Sequence, residues 1–340
     1  MKTIKIKFID FYKGFDYKSS RIYEILNRNF DIEFAEQPDY IIYSVYGNEH
    51  LEYDCIRILW TGENMVPDFN VCDYAIGFEY MIFGDRYLRC PNYIVNLNYN
   101  SLIEIIQQDD ARHKNNRKFC SFIYSNGGAD KTRDELFYRL CRYKSVDSGG
   151  KHLNNTKMSK SQNRIADKLS FESSYKFSIA CENCSHRGYS TEKIVGAFAA
   201  GAIPIYWGDP EIKKIFNENA FINVMDYDSL DSLVEAVKQV DTNDDLYQKY
   251  LESPVFKQPN YVKESIRNLE KFILHIFNQE HEECYRRSRV MWGKMYNDEL
   301  RSMKHLCEHS IQWKTKKSTE RIRQSAKIFR RRTAWKILHK

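Results

Sequence analysis

The chain has 340 residues, room for two domains of ordinary size, and its 42% hydrophobic and 29% charged residues match an ordinary globular composition. No run of about 18 apolar residues occurs, so no membrane-spanning helix is expected. The net charge of +6 is uneven: residues 311–340 carry eleven Lys and Arg against one Glu, a local +10 that leaves −4 on the other 310 residues, so a basic body of the kind that binds nucleic acid is excluded.

In chain order, TIKIKFID reads as a first strand, with Ile4, Ile6 and Phe8 alternating with lysines. The opening residues lack the unbroken apolar core of a signal peptide, so a cytoplasmic location is expected. SSRIYEILNRNF reads as a helix with Ser19 or Ser20 as N-cap. YIIYSVY and CIRILW are further strands, and YAIGF and NYIVNL two more, the last following Pro91. Residues 101–117 turn polar after one apolar turn and read as a helix running into a linker.

A second alternation follows. KFCSFIYS is a strand, and DKTRDELFYRLCRY is a helix with an apolar stripe at Leu136, Phe137, Leu140 and Cys141. YKFSIACEN is a strand, and STEKIVGAFAAG is a helix capped by Ser190 and stopped at Gly201. AIPIYWG and FINVMD are strands; LDSLVEAVKQV and YVKESIRNLEKFILHIF are helices. Strands alternating with helices give two α/β sheets, with ligands at the carboxyl ends of the strands. The boundaries read as residues 1–112 for the first domain, 113–290 for the second and 291–340 for a basic helical tail. Aromatics are plentiful, 24 Tyr and 20 Phe. They supply core area when buried and face sugars or partners when exposed, and composition does not separate the two roles.

The segment CENCSHRGYSTEK raises the question of a thiol or zinc site. Nine cysteines, an odd number with a single Cys-x-x-Cys pair, fit reduced thiols rather than a disulfide framework. Cys181 ends a strand instead of opening a helix, and His186 is the sole extra ligand nearby, so neither a redox motif nor a zinc site is expected. The second half is more informative. Ser190-Thr191-Glu192-Lys193 opens a helix, whose free N–H groups and dipole favour an anion. A lysine there opposes the dipole, and a bound phosphate would account for it; the alternative is an ordinary surface lysine.

The stretch YKFSIACENCSHRGYSTEKIVGAFAAGAIPIYWGDPEIKKIFNENAFINVMDY resembles the donor-binding signature of the α-1,3-fucosyltransferases, glycosyltransferase family 10. It carries Glu-Asn at a strand end, Tyr-x-Thr-Glu-Lys, Pro-Ile-Tyr-Trp-Gly and Phe-Ile-Asn-Val. It departs at Cys181, where Phe is usual, and Cys184, where Ser is common. WTGENMVPDFNVCDYAIGFEYMIFGDRYLRCPNY and FCSFIYSNGGADKTRDELFYRLCRYKSVDSGG resemble two further blocks of the bacterial members, and the likeness runs through most of the first 280 residues. The resemblance implies a GT-B architecture, two Rossmann-like domains facing a cleft. It also implies GDP-β-L-fucose as donor and inverting transfer to the 3-hydroxyl of GlcNAc in an N-acetyllactosamine-type glycan, a Lewis X type product. A different acceptor, a 4-hydroxyl, or another nucleotide sugar are the rival readings. A glycan-binding protein without catalysis is more distant, and nucleic acid is not expected as a partner.

Displacement at the fucose anomeric carbon builds positive charge on the sugar and negative charge on departing GDP. Arg133, in the first turn after FIYSNGG, and Lys193 are the expected phosphate contacts. Glu192 is expected at the ribose hydroxyls and Tyr189 at the donor. Ser125, Asn126 and Asn183 are added as donor contacts at strand ends. The resemblance makes Glu63, in TGEN after CIRILW, the general base. Glu79 and Asp85 are the lesser candidates for that role, and Trp207 and Asp209 are expected to shape the pocket floor. With no Asp-x-Asp motif in the second domain, no metal is obligatory, though a divalent cation is allowed as a stimulant. The tail interleaves Trp313, Ile322, Phe329, Trp335, Ile337 and Leu338 with basic residues, a pattern for an anionic membrane surface. It points to peripheral attachment on the inner face of the cytoplasmic membrane.

Overall fold

The computed structural model describes residues 1–108, 116–159, 161, 163–310, 315–316, 318–320, 322–323 and 325–326. Its compact units are Met1–Cys90 together with the chain from Ile266 onward, and Pro91–Ser265. This division differs from the boundaries read from the sequence. Residues 91–108 lie in the second unit, 266–310 in the first, and the linker residues 109–115 lie outside the described residues.

The first unit contains β1 (Thr3–Ile9), α1 (Arg21–Asn29), β2 (Asp31–Phe34), β3 (Tyr40–Tyr43), β4 (Ile56–Trp60), β5 (Tyr74–Gly77) and β6 (Tyr87–Arg89). Its six strands run in the order β2-β1-β3-β4-β5-β6, every pair parallel. β3, β4 and β5 are buried along their whole length, which is why they read as apolar runs rather than as alternations. Ser20 caps α1, its hydroxyl accepting from Tyr23 N at 3.1 Å. The C-terminal chain is pinned to this sheet by the buried Asp73. Its carboxylate accepts from the backbone N–H of Arg57, Arg286 and Arg287, each at 2.9 Å, and from the Arg287 guanidinium. Arg57, buried in β4, gives its Nε to Tyr53 O at 3.0 Å and its Nη1 to Val71 O at 3.2 Å. Burial, with Arg287 nearby, lowers its pKa to about 10.

The second unit contains α2 (Asn92–Val95), α3 (Asn100–Gln108), β7 (Lys118–Phe122), α4 (Lys131–Cys141), β8 (Val146–Ser148), α5 (Arg164–Glu172) and β9 (Tyr175–Cys181). It continues through α6 (Glu192–Ala199), β10 (Ile203–Trp207), β11 (Ile222–Asn223), α7 (Leu230–Thr242) and α8 (Asp244–Glu252). α9 (Tyr261–Asn278) contains the boundary between the units, and α10 (Met291–His309) follows in the first. The sheet order is β11-β10-β9-β7-β8, again all parallel. Both sheets are doubly wound: the strand order reverses between β1 and β3 in one and between β7 and β9 in the other. The crevice outside the carboxyl ends of such a strand pair is where open α/β sheets place ligands.

NYIVNL forms the short buried helix α2 instead of the expected strand. Pro91 precedes it with φ −60° and ψ 148°, and a short apolar run does not by itself distinguish a buried strand from a buried turn of helix. FINVMD shrinks to the two-residue β11 followed by a 3₁₀ turn in which Asn223 caps Met225 N.

Candidate active site

At the β7/β9 reversal the two strand ends are stitched by one phenol. Tyr124 donates to Ile179 O at 2.8 Å and accepts from Cys181 N at 2.7 Å. Gly150 lies against the Tyr124 backbone so closely that a Cβ there would collide with it. Beyond β7 the chain turns through Ser125 and Asn126, both exposed, before α4 begins. Asn126 Oδ1 accepts from Gly128 N at 2.8 Å, and Asp130 caps α4 at Thr132 N, 2.8 Å away. Asp130 N donates to Asn183 O at 2.9 Å, which ties this loop to the one after β9.

Arg133 sits in the first turn of α4 and is fully buried. Its Nη2 donates to Asn126 O, and the guanidinium lies 4.2 Å from the centre of the Tyr124 ring. Nε stands 3.6 Å from Asp134, yet neither Nε nor Nη1 makes a hydrogen bond with any described residue. Asp134 also meets the buried His152 Nε2 at 2.9 Å. Two donor nitrogens left unsatisfied on a buried cation are costly, and a bound anion would satisfy them.

Lys193 belongs to a tighter cluster. Its ammonium donates to Glu182 Oε2 at 2.9 Å and to Thr191 Oγ1 at 2.8 Å, and stands 3.7 Å from Glu192. Burial alone would lower its pKa, but the carboxylates of Glu182 and Glu192 raise it well above the lysine range. Glu192 opens α6; burial pushes its carboxyl up, and Lys193 and Lys168 hold it below the usual value. Tyr124 lies within reach of the fields of both Arg133 and Lys193, which oppose the strong rise that burial gives its phenol.

Glu182, to which the sequence motif assigns no role, holds this cluster together. It is fully buried and accepts from Thr191 N at 2.7 Å, from Thr191 Oγ1 at 2.9 and 2.8 Å, and from Lys193. Its own N–H continues the sheet to Trp207 O at 2.7 Å. A Cβ on Gly208 would stand 2.5 Å from Glu182 Cγ, so glycine makes room for the side chain. The N-cap of α6 is therefore Thr191, not the expected Ser190, and its hydroxyl serves Glu182 rather than the helix end. The signal is its place in the motif: a carboxylate at the end of β9, nine and eleven residues upstream of Thr191 and Lys193.

Tyr189 is buried, with its carbonyl accepting from Tyr206 OH at 3.5 Å. Asp209 is buried in the turn after β10 and accepts from Gly188 N at 2.7 Å and Glu211 N at 2.8 Å. The Cys181 thiol is buried, which pushes its pKa up to about 12, and Cys184 is half-buried. Among the described residues no group of three or more His, Cys, Asp or Glu side chains is arranged to hold a metal ion.

In the first unit Glu63 follows β4 and is exposed. Thr61 Oγ1 accepts from its N–H at 3.1 Å and donates to its carbonyl at 3.2 Å, fixing the turn. Tyr46, after β3, donates its hydroxyl to Glu63 Oε1 at 2.7 Å. Glu79 meets Tyr87 OH through its carbonyl, 3.1 Å away. Asp85 is held by Arg286 at 2.6 Å and His275 at 3.0 Å, and the hydrogen bond from Arg286 brings its pKa to about 2. Such a carboxylate suits a structural ion pair better than a base.

Two family models match the chain: the α-(1,3)-fucosyltransferase FucT N-terminal domain over residues 6–96, and the glycosyltransferase family 10 (fucosyltransferase) C-terminal domain over residues 113–272. The chain belongs to glycosyltransferase family 10. It is 32% identical over 279 residues to α-(1,3)-fucosyltransferase FucT of Helicobacter pylori, a match spanning 71% of this chain and 57% of that protein. It is 27% identical over 162 residues to 4-galactosyl-N-acetylglucosaminide 3-α-L-fucosyltransferase 9 of Bos taurus, spanning 46% of this chain and 41% of that one. A crystal structure of an α1,3-fucosyltransferase superimposes with a TM-score of 0.69 at 26% identity, covering 85% of this chain and 93% of that one. An α1,3-fucosyltransferase with GDP-fucose gives 0.64 at 27% identity, over 80% and 91%. The two parallel sheets are thus the two Rossmann-like domains of the GT-B type in this family 10 chain.

Proposed function

We propose that this family 10 protein is an inverting α-1,3-fucosyltransferase that moves L-fucose from GDP-β-L-fucose to the 3-hydroxyl of GlcNAc in N-acetyllactosamine-type glycans. The observation that supports the donor reading most is the buried Arg133, two of whose nitrogens find no partner among the described residues, at the β7/β9 reversal. The raised Lys193 stands at the head of the next helix. A diphosphate would accept from Arg133, and both cations would stabilise the charge that grows on departing GDP. Asn126, Ser125 and Asn183 line the same strand ends. Glu192 would take the ribose hydroxyls, and Tyr189 would back the donor from beneath.

In the reaction, the acceptor oxygen attacks the anomeric carbon from the face opposite GDP. The carbon–oxygen bond forms as the bond to the phosphate oxygen breaks, GDP leaves with the electron pair, and β becomes α. The hydroxyl proton passes to Glu63. Purified protein incubated with GDP-fucose and N-acetyllactosamine is expected to add one fucose residue to the acceptor by mass, linked to O3, with a divalent cation only raising the rate. If UDP- or ADP-sugars raise the melting temperature and GDP-fucose does not, the donor assignment fails.

We propose further that the basic tail holds the protein on the inner face of an anionic membrane, where lipid-linked or lipopolysaccharide acceptors lie. Supporting this, α10, the first part of this tail, leaves Trp292, Met295, Met303 and Leu306 exposed. Among the described residues no helix is long and apolar enough to cross a membrane. Of the six apolar residues interleaved with the basic ones, Ile322 is described and exposed; Trp313, Phe329, Trp335, Ile337 and Leu338 lie outside the described residues. Full-length protein is expected to pellet with phosphatidylserine vesicles and a form ending at 310 to stay in solution. Equal pelleting of the two ends the idea.

A further inference from the structure

Three consecutive neighbours in the first sheet, β1, β3 and β4, end in loops that carry Tyr12, Tyr46 and Glu63. β1 and β3 are the pair between which the strand order reverses, so these loops border the crevice where such a sheet takes its ligand. Tyr12 is 42% exposed and Tyr46 is 51% exposed, yet the rings are not loose. They meet edge to face with centroids 5.8 Å apart. Tyr12 abuts Phe15 at 5.6 Å, and Phe15 stacks on Phe11 at 3.9 Å. Trp60, at the end of β4, backs Phe11 at 5.3 Å and Phe15 at 5.7 Å. It is only 3% exposed, and its indole N–H finds no hydrogen-bond partner among the described residues.

The backbone beneath this wall is also built for it. Asp10 adopts the left-handed region, φ 57°. Its carbonyl accepts from Tyr46 N at 2.9 Å, and its carboxylate accepts from Glu49 N and His50 N, each at 2.9 Å. Gly47 lies over that carboxylate, where any Cβ would collide with it. Asp10 therefore fixes the start of the Tyr46 loop, and Tyr46 reaches from it to Glu63.

We infer that Tyr12 and Tyr46 form an aromatic shelf that receives the apolar face of the acceptor's pyranose ring beside Glu63. The inference rests on Glu63 being the base of the proposed reaction. One face of a β-galactopyranose presents the C–H bonds at C3, C4 and C5. Polarised C–H groups lie favourably on the negative face of an aromatic ring, and a rigid tyrosine loses little freedom in holding them. The hydroxyls at the sugar's rim stay free for hydrogen bonds. Tyr46 has a second part: as a positioning residue, its hydroxyl fixes the direction of the Glu63 carboxylate.

The test is a kinetic split. Tyr12→Ala is expected to raise the acceptor KM about tenfold, as loss of one stacking contact would, with the donor KM and the GDP-induced rise in melting temperature unchanged. Tyr12→Phe is expected to restore the acceptor KM. Tyr46→Phe is expected to keep the acceptor KM and lower kcat several-fold, whereas Tyr46→Ala alters both. An unchanged acceptor KM in Tyr12→Ala, or an equal rise in donor KM, overturns the shelf. Saturation-transfer NMR with N-acetyllactosamine separates this failure from that of the reaction itself. Irradiating the native protein's aromatic protons is expected to saturate the galactose H3, H4 and H5, and Tyr12→Ala is expected to lose the effect. If that pattern holds while no fucose is transferred, the shelf stands and the proposed reaction fails; if native protein and variant saturate the ring alike, the shelf is overturned.

Discussion

Glu63→Gln is expected to slow fucose transfer by about two to four orders of magnitude, the range typical for loss of a positioned general base, while GDP still raises the melting temperature as in the native protein. The substitution keeps the side chain's size and leaves an amide oxygen for Tyr46, whose hydroxyl bonds Glu63 Oε1 at 2.7 Å. The turn survives because Thr61 grips the backbone of Glu63, not its side chain. Glu63 is exposed, so no buried charge is created and stability is expected to change little. What is lost is the ability to take a proton from the acceptor as its oxygen attacks. GDP binding reads the second unit and serves as the control for intact fold. A rate within a few-fold of native would remove Glu63 from the mechanism. Asp85 is a poor substitute, since its ion pair with Arg286 keeps it near pKa 2 and too weak a base.

Much of this architecture was written in local patterns. The buried strands β3, β4, β9 and β10 are apolar runs, and Ser20 announces α1 by its own chemistry. The motif residues also stand where parallel strands end, because sequence order and sheet position are linked in a doubly wound sheet. The strands β2, β6 and β8 were missed. They are three or four residues long and lie at the sheet edges, and so carry little pattern. Helices α5 and α8 left no comparable signal, whereas α10 falls within the segment read as a helical tail, 291–340, although it has no buried residue. NYIVNL shows the opposite failure, a strong apolar signal with the wrong geometry. In the site, the sequence yields which cations are present but not what holds them. Asp10 beneath Gly47, and Glu182 beneath Thr191 and Gly208, are partnerships closed by loops, and no periodicity announces them.

Glu182→Gln tests the least legible of these partnerships. Its expected effects are a loss of about 3 kcal/mol of stability, near the cost of breaking a buried ion pair, and a new pH dependence in donor binding. The native Lys193 ammonium is half-buried between two carboxylates, Glu182 at 2.9 Å and Glu192 at 3.7 Å. Burial favours the neutral amine, and the carboxylates outweigh it, so the native pKa lies well above the lysine value. A lysine raised in the folded state contributes stability that is complete below its unfolded pKa and lost only as pH climbs through the folded one. The native cation is therefore constant across neutral and mildly alkaline solution, and GDP affinity is expected to be flat there. Glutamine keeps the shape and can still accept from Thr191 N, but it removes the nearer charge. Burial is then opposed mainly by Glu192, and the Lys193 pKa falls from its native position. GDP, carrying its own negative charge, binds the protonated form better, so its affinity in the variant is expected to decline across the mildly alkaline range where the native profile stays flat, as the amine loses its proton. Calorimetric titration with GDP across that range checks this, and Glu182→Asp is expected to recover part of the flat profile. If Glu182 served only to fill the space beside Gly208, the variant would lose stability and nothing else. A GDP affinity that is weakened but independent of pH would overturn its part in holding the charge on Lys193.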